Sequence, residues 1–296
     1  MFKGVYTALI TPFRNDVVDW EALERLLEDQ VASGIAGVVP CGTTGESATL
    51  THEEHRGVIR FCVEKIRKRC QVIAGTGSNA TRESIDLTRF ARDAGADGAL
   101  LITPYYNKPG QEGLWRHYTA IAAAIDLPLI LYNVPGRTAV DMSADTVARL
   151  SRVQGIVAIK EATGNMERAA VLHQCCGPDF SLISGDDATF LPFLAVGGQG
   201  VISVTANIAP RRVNGVWNAW QQGDPVLARQ RHEKLLDLNR YLFLETNPIP
   251  IKAAAAMLGW CSGEMRLPLT ELAADHRRRL RDTLETLGMF DSNGMN

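Results

Sequence analysis

The chain has 296 residues, 46% of them hydrophobic and 22% charged, with a formal net charge of −2. That balance excludes the electrostatic footprint of a nucleic-acid or anionic-lipid binder, and the six cysteines form no C-x-x-C pair of the zinc or disulfide-framework kind. The length suits one (β/α)8 barrel of about 250 residues with a short extension, or two smaller domains.

From the N-terminus, Met1-Phe2-Lys3-Gly4 leads straight into a strand-like segment without the apolar core of a signal peptide. No apolar run reaches membrane-spanning length, so the expected location is the cytoplasm, where thiols stay reduced. Short apolar runs then alternate with longer segments of helical periodicity. The runs are Val5–Thr11, Gly37–Gly42, Gln71–Gly77, Gly98–Pro104, Leu129–Pro135, Ile156–Ala162, Ser181–Asp187 and Gly200–Ala206. Most are apolar nearly throughout, as strands buried on both faces are. Their starts fall 19 to 34 residues apart, which suits βα units joined by parallel crossovers. Asp19 and Ser143 are placed to cap helices, and Thr51-x-x-Glu54 reads as a capping box after the second run. Gly34, Gly95 and Gly155 fall near helix ends, where left-handed caps occur.

Eight such units either close into a barrel or lie in an open doubly wound sheet, and repetition without a break favours closure. From about Pro210 the chain reads as helical to its end, with Asn247-Pro248-Ile249-Pro250 a sharp break between helices. The run His276-Arg277-Arg278-Arg279 reads as a solvated helix face. The expected fold is therefore an α/β (β/α)8 TIM barrel over 1–222, an all-helical C-terminal extension over 223–290 and a disordered tail over 291–296.

In such a barrel the chemistry sits at the C-terminal ends of the strands. The second run ends in Cys41-Gly42-Thr43-Thr44-Gly45-Glu46-Ser47, where two glycines bracket two hydroxyl residues. A turn of this kind can aim N–H groups and hydroxyls at a carboxylate or phosphate, or it can be a tight turn with local Thr capping. The fourth run ends in Thr103-Pro104-Tyr105-Tyr106-Asn107, two tyrosines suited to a ligand, another subunit or rim packing. The fifth carries Tyr132, a phenol able to shuttle a proton or to sit satisfied in the core, and then Arg137, which can grip a carboxylate or remain solvated. The sixth, Ile156-Val157-Ala158-Ile159-Lys160-Glu161-Ala162, puts a lysine at the end of an apolar strand. Either Lys160 snorkels to the rim or it has a task there, and a neutral amine is the form that attacks a ketone.

Two other patterns carry less weight. Gly75-Thr76-Gly77-Ser78-Asn79-Ala80 fits a permissive dinucleotide pattern, but the next strand does not end in the acid that a nicotinamide enzyme uses. His52 and His55 lie three apart at a helix start without a third ligand of suitable spacing, so no metal is expected.

Taken in order, Gly42-Thr43-Thr44-Gly45-Glu46, Tyr105-Tyr106-Asn107, Tyr132 to Thr138, Ile159 to Gly164, Ser184-Gly185-Asp186-Asp187 and Gly200 to Val204 resemble the dihydrodipicolinate synthase family. The resemblance runs from about Phe2 to Phe290. It implies a (β/α)8 lyase of the class I aldolase type, usually a homotetramer arranged as a dimer of dimers, that uses no metal or organic cofactor. It implies condensation of pyruvate with L-aspartate 4-semialdehyde in lysine and diaminopimelate biosynthesis. Lys160 is then the Schiff-base amine and Tyr132 the general acid/base. Thr43 and Tyr106 complete a proton relay, Tyr106 coming from a neighbouring subunit. Thr44 binds the pyruvate carboxylate, the Ile202 backbone and Gly185 line the substrate, and Arg137 holds the carboxylate of the aldehyde.

The same resemblance implies an effector site for lysine at a subunit interface, made of Ser47, Ala48, His52, His55, Asn79, Glu83 and Tyr105. His55 and Glu83 are the residue types of lysine-inhibited members. Cys41 and Thr246 depart from the common pattern without touching the implied chemistry. The rival readings are an N-acetylneuraminate lyase or 2-keto-3-deoxy sugar-acid aldolase sharing the lysine and tyrosine, a non-catalytic keto-acid-binding barrel, and a nicotinamide-linked oxidoreductase. Arg137 and the tandem Thr43-Thr44 favour the short, acidic aldehyde over a polyol chain.

Overall fold

A computed structural model describes residues 2–290, and the tail 291–296, expected to be disordered, lies outside the described residues. The strands are β1 (Gly4–Ala8), β2 (Phe13–Arg14), β3 (Val17–Val18), β4 (Gly37–Val39), β5 (Gln71–Gly75), β6 (Gly98–Ile102), β7 (Leu129–Asn133), β8 (Ile156–Glu161), β9 (Ser181–Ser184) and β10 (Gly200–Ser203). All but β2 and β3 form the closed barrel, in the order β1-β10-β9-β8-β7-β6-β5-β4, and helices follow the strands as expected for a (β/α)8 fold. Seven of the eight apolar runs contain one barrel strand each, and the first, Val5–Thr11, overlaps β1, which starts one residue earlier at Gly4, a consequence of burial on both faces.

The chain divides into two compact units, one of Gln71–Ile202 with the N-terminal residues to Gly4, the other of Val5–Cys70 with Ser203 onward. In the first, β5 to β9 pair in parallel in sequence order, with Ile102 opposite Tyr132, Tyr132 opposite Lys160, and Lys160 opposite Ile183. Helices Thr81–Ala94, Gln111–Ala124, Ala144–Leu150 and Met166–Cys176 follow successive strands. Ser143 caps the third by accepting from the Thr146 N–H, and Gly95 ends the first in a left-handed conformation at φ 93°.

In the second unit, β1 pairs with β4, with Tyr6 opposite Gly37. The helix Trp20–Ala32 starts at Asp19, whose carboxylate accepts from the Ala22 N–H at 3.0 Å. The helix His52–Ile66 opens with the full capping box of Thr51 and Glu54. The C-terminal part is helical, in Pro210–Gln221, Pro225–Glu233, Leu236–Tyr241, Ile249–Met257 and Ala274–Thr286, with the Asn247-Pro248 break between the third and fourth.

One element was not expected. β2 and β3 form an antiparallel hairpin whose turn residues Asn15 and Asp16 have φ of 53° and 62°. Asn-Asp is a pair that tolerates the two left-handed positions of a tight hairpin turn, so the signal was present in the sequence.

Candidate active site

The site in the first unit is built where β7, β8 and β9 end. Strand alternation puts Lys160 on the face of Ala158, the two lying opposite Tyr132 and Ile130 of β7, while a register shift at the start of β8 pairs Ile156 with Leu129. Lys160 is 6% exposed, and its Nζ lies 4.3 Å from the centroid of the Tyr132 ring. A lysine snorkelling into bulk water is therefore not what this strand end presents. Gly185 follows β9, and a Cβ there would meet Ala162 Cβ at 2.6 Å and Lys160 Cε at 3.1 Å. Glycine lets the backbone run this close to the amine. Lys160, Tyr132 and Gly185 are thus gathered at the ends of three neighbouring strands, and Ile202 on β10 is buried.

Glu161 points to the opposite face of β8 and is also buried. Its carboxylate accepts from Arg168 Nε at 2.8 Å, Asn133 Nδ2 at 3.2 Å and the Thr163 N–H at 2.8 Å. Asn133 also donates to Asp141 at 2.8 Å and accepts from the Met142 N–H at 3.0 Å, while Arg168 donates to the Met142 carbonyl. A buried carboxylate is tolerable when so fully partnered. This network ties β7 to β8 in the register that sets Tyr132 beside Lys160. Glu161 and Asn133 lie within the motifs already noted, but their roles were missed. The available signal was an acid next to a lysine in an otherwise apolar strand.

Arg137 sits exposed on a single helical turn, Pro135–Thr138. Thr138 anchors that turn, accepting from Thr103 Oγ1 at 3.1 Å and donating to the Val140 carbonyl at 3.0 Å. Tyr106 is 89% exposed with φ 71°, and the Asn107 N–H donates to the Tyr105 carbonyl at 2.8 Å across it. This is a γ-turn of the rare, strained hand, which costs on the order of 1–3 kcal/mol. No hydrogen bond joins Tyr106 to Tyr132 among the described residues of this chain. Asn107 Nδ2 donates to the Asn79 carbonyl at 2.8 Å, so the loop of exposed Tyr105 is tied to half-buried Asn79. Glu83 is half-buried and accepts the Ser78 hydroxyl.

The glycine pattern at 75–80 has a packing explanation. A Cβ on Gly77 would lie 2.3 Å from the Ile102 backbone N, so that glycine is required by the close passage of β6.

The second unit carries the Thr43-Thr44 turn after β4. Gly45 N–H donates to the Gly42 carbonyl and Glu46 N–H to the Thr43 carbonyl, each at 3.1 Å. Thr43 is half-buried and Thr44 buried, its Oγ1 accepting from Asn247 Nδ2 at 2.9 Å. Ser47 and Ala48 lie on the 3-10 turn Ser47–Thr49 that follows. His52, the first residue of the next helix, is exposed, whereas His55 is buried one turn further on. Burial pushes the Cys41 thiol well above its usual range, so the residue beside the Thr turn is a poor nucleophile. No group of three or more His, Cys, Asp or Glu side chains suited to a metal ion occurs among the described residues.

Residues 1–287 match the model of the dihydrodipicolinate synthetase family. The chain is 61% identical, over 98% of its length and 100% of the relative's, to a 4-hydroxy-tetrahydrodipicolinate synthase of Magnetococcus marinus. Among solved structures it is similar to the dihydrodipicolinate synthase of Acinetobacter baumannii complexed with pyruvate, with a TM-score of 0.96, 46% identity and coverage of 98% of this chain and 100% of that one. It is likewise similar to the enzyme of Cyanidioschyzon merolae with lysine bound, with a TM-score of 0.94, 42% identity and coverage of 97% and 99%.

Proposed function

The chain belongs to the dihydrodipicolinate synthetase family, and from that membership we propose that it acts as a 4-hydroxy-tetrahydrodipicolinate synthase, condensing pyruvate with L-aspartate 4-semialdehyde. The observation that carries this reading is the buried Lys160 amine over the Tyr132 ring at the end of β8.

The neutral Lys160 amine adds to the ketone carbon of pyruvate, and loss of water leaves an imine. Removal of a methyl proton converts the imine to an enamine. The enamine carbon attacks the aldehyde, and the amino group of that substrate closes onto the imine carbon and releases Lys160. Each step moves a proton, which is the work assigned to Tyr132 with Thr43 and Tyr106. Thr44, Gly185 and the Ile202 backbone hold pyruvate, and Arg137 on its exposed turn meets the carboxylate of the aldehyde. No metal or organic cofactor enters this scheme.

Tyr106 would serve the site of a neighbouring copy in a homotetramer, and its exposure on a strained turn supports that role. L-Lysine is the proposed feedback inhibitor, acting through Ser47, Ala48, His52, His55, Asn79, Glu83 and Tyr105, and the lysine-bound relative supports it. The barrel is assigned to 1–222 and the extension to 223–290, helices ending at Gln221 and starting at Pro225 on either side of that boundary. A cytoplasmic location accords with the absence, among the described residues, of a helix long and apolar enough to cross a membrane.

Borohydride reduction in the presence of pyruvate, followed by peptide mapping, tests the reading. The adduct is expected on Lys160, and a coupled assay should show turnover with aspartate semialdehyde and none with N-acetylneuraminate. An adduct elsewhere, or preference for the sugar acid, overturns it.

A further inference from the structure

Glu46 closes the Thr43-Thr44 turn in a way that nothing in the catalytic scheme requires. Its backbone is left-handed, at φ 54°, where a residue other than glycine pays a steric cost. Glycine at this position would relieve that cost, so the side chain has a use that offsets it. That side chain is directed fully into the protein. Its Oε1 lies 2.5 Å from Lys252 Nζ, and both side chains are 0% exposed. Its Oε2 accepts from the Arg266 N–H at 3.3 Å, and its backbone carbonyl accepts from the Thr49 N–H at 3.0 Å.

Lys252 comes from the helix Ile249–Met257, and its ammonium lies 4.3 Å from the centroid of the Phe13 ring. The guanidinium of Arg266, 4.4 Å from the same ring, pairs with Glu54 at 2.6 Å and Asp16 at 2.9 Å. Five residues before Lys252, Asn247 donates to the Thr44 hydroxyl at 2.9 Å. One short stretch of chain therefore grips the turn twice, at Thr44 and at Glu46. From beneath, Thr11 Oγ1 donates to the Gly45 carbonyl at 2.7 Å, so the three residues Thr44 to Glu46 are each held in place.

An ion pair withdrawn this completely from water is a weak source of stability, because desolvation of both ions offsets their attraction. It is a strong source of geometry, because neither ion can leave its partner without being stranded. We infer that Lys252 and Asn247 are positioning residues for pyruvate: through Glu46 and Thr44 they set the hydroxyls of the Thr43-Thr44 turn in the orientation that receives the keto acid. The inference rests on the function proposed above and adds to it a clamp from the C-terminal helices, outside the strand-end motifs.

The test is the paired variant Glu46→Gln with Lys252→Met, which removes both charges together and keeps their volumes, alongside the single variant Asn247→Ala. Thermal melts report folding, and two readouts report positioning: the pyruvate concentration that half-saturates borohydride trapping, and the separate KM values for pyruvate and aspartate semialdehyde. The paired variant should need about tenfold more pyruvate or beyond, and Asn247→Ala about threefold to tenfold more, the loss expected of one hydrogen bond. KM for the aldehyde should stay within about twofold in both. A merely structural role would lower the folded fraction without moving pyruvate affinity. Folded variants whose pyruvate dependence matches wild type overturn the inference, and Asn247→Ala decides it should the paired variant fail to fold. Wild-type enzyme that forms no adduct at all would instead remove the underlying function, and the clamp with it.

Discussion

The amine of Lys160 lies 4.3 Å from the ring centroid of Tyr132, and the two residues are direct partners across β7 and β8. Their proximity is set by backbone pairing and does not depend on flexible side chains reaching across a gap. Replacing the amine removes the covalent step, so Lys160→Arg should abolish the pyruvate adduct. Tyr132→Phe keeps the ring over the amine but loses the acidic proton. It should retain the adduct and lower kcat by about 10²–10⁴-fold. Equal trapping and turnover in either variant would remove that residue from the chemistry.

Gly185 is the third member of that cluster. In Gly185→Ala the new methyl would overlap Ala162 Cβ at 2.6 Å and press on Lys160 Cε at 3.1 Å. Relief requires β9 or the lysine to shift, and overpacking of this kind costs about 1–3 kcal/mol. The variant should melt lower than wild type and lose about 10–100-fold in kcat/KM for pyruvate, since small displacements of a reacting group are expensive. Wild-type kinetics would show that the space at Gly185 is not needed.

Lysine sensitivity is open to a direct assay. L-Lysine at concentrations on the order of millimolar should depress activity about fivefold or more. Glu83, held by the Ser78 hydroxyl, supplies a carboxylate suited to an ammonium group. Glu83→Ala should therefore raise the lysine concentration for half-inhibition. Activity indifferent to lysine in the wild type removes the effector site.

Acid stability should carry the mark of His117. This side chain is 6% exposed, with Nδ1 2.9 Å from Thr81 Oγ1, and burial pulls its pKa down to about 4 from an ordinary 6.5. The folded value lies below the unfolded one, so the fold holds the ring neutral. The stabilisation is complete above about pH 6.5 and is lost as the pH falls through about 4, amounting to about 3 kcal/mol over that window. Urea unfolding of wild type and His117→Gln across the window should show a shallower pH slope in the variant. Parallel slopes would mean that the ring titrates normally in the fold.

The strand content was legible because a strand of a barrel sheet is apolar on both faces, and eight such runs cannot be hidden in 296 residues. The helix starts at Asp19, Thr51 and Ser143 were legible for a local reason too, since a cap satisfies backbone groups within three residues of itself. The hairpin at 13–18 was overlooked because two-residue strands carry almost no periodicity, although Asn15-Asp16 signalled its turn. Lys160 and Tyr132 could be picked out as residue types at strand ends, but β7–β8 register is a property of pairing and had to be observed.

By itself the sequence determined which segments become strands and helices and which residue types stand at their ends, because those follow from short-range periodicity and capping. The tertiary structure alone decided which distant groups meet. Lys252 finds Glu46 across 206 residues and Asn247 finds Thr44 across 203, and Gly77 is required by a strand 25 residues away at Ile102. No local pattern encodes such encounters. They arise only when folding removes water from both partners and leaves each charge or close approach with one place to go.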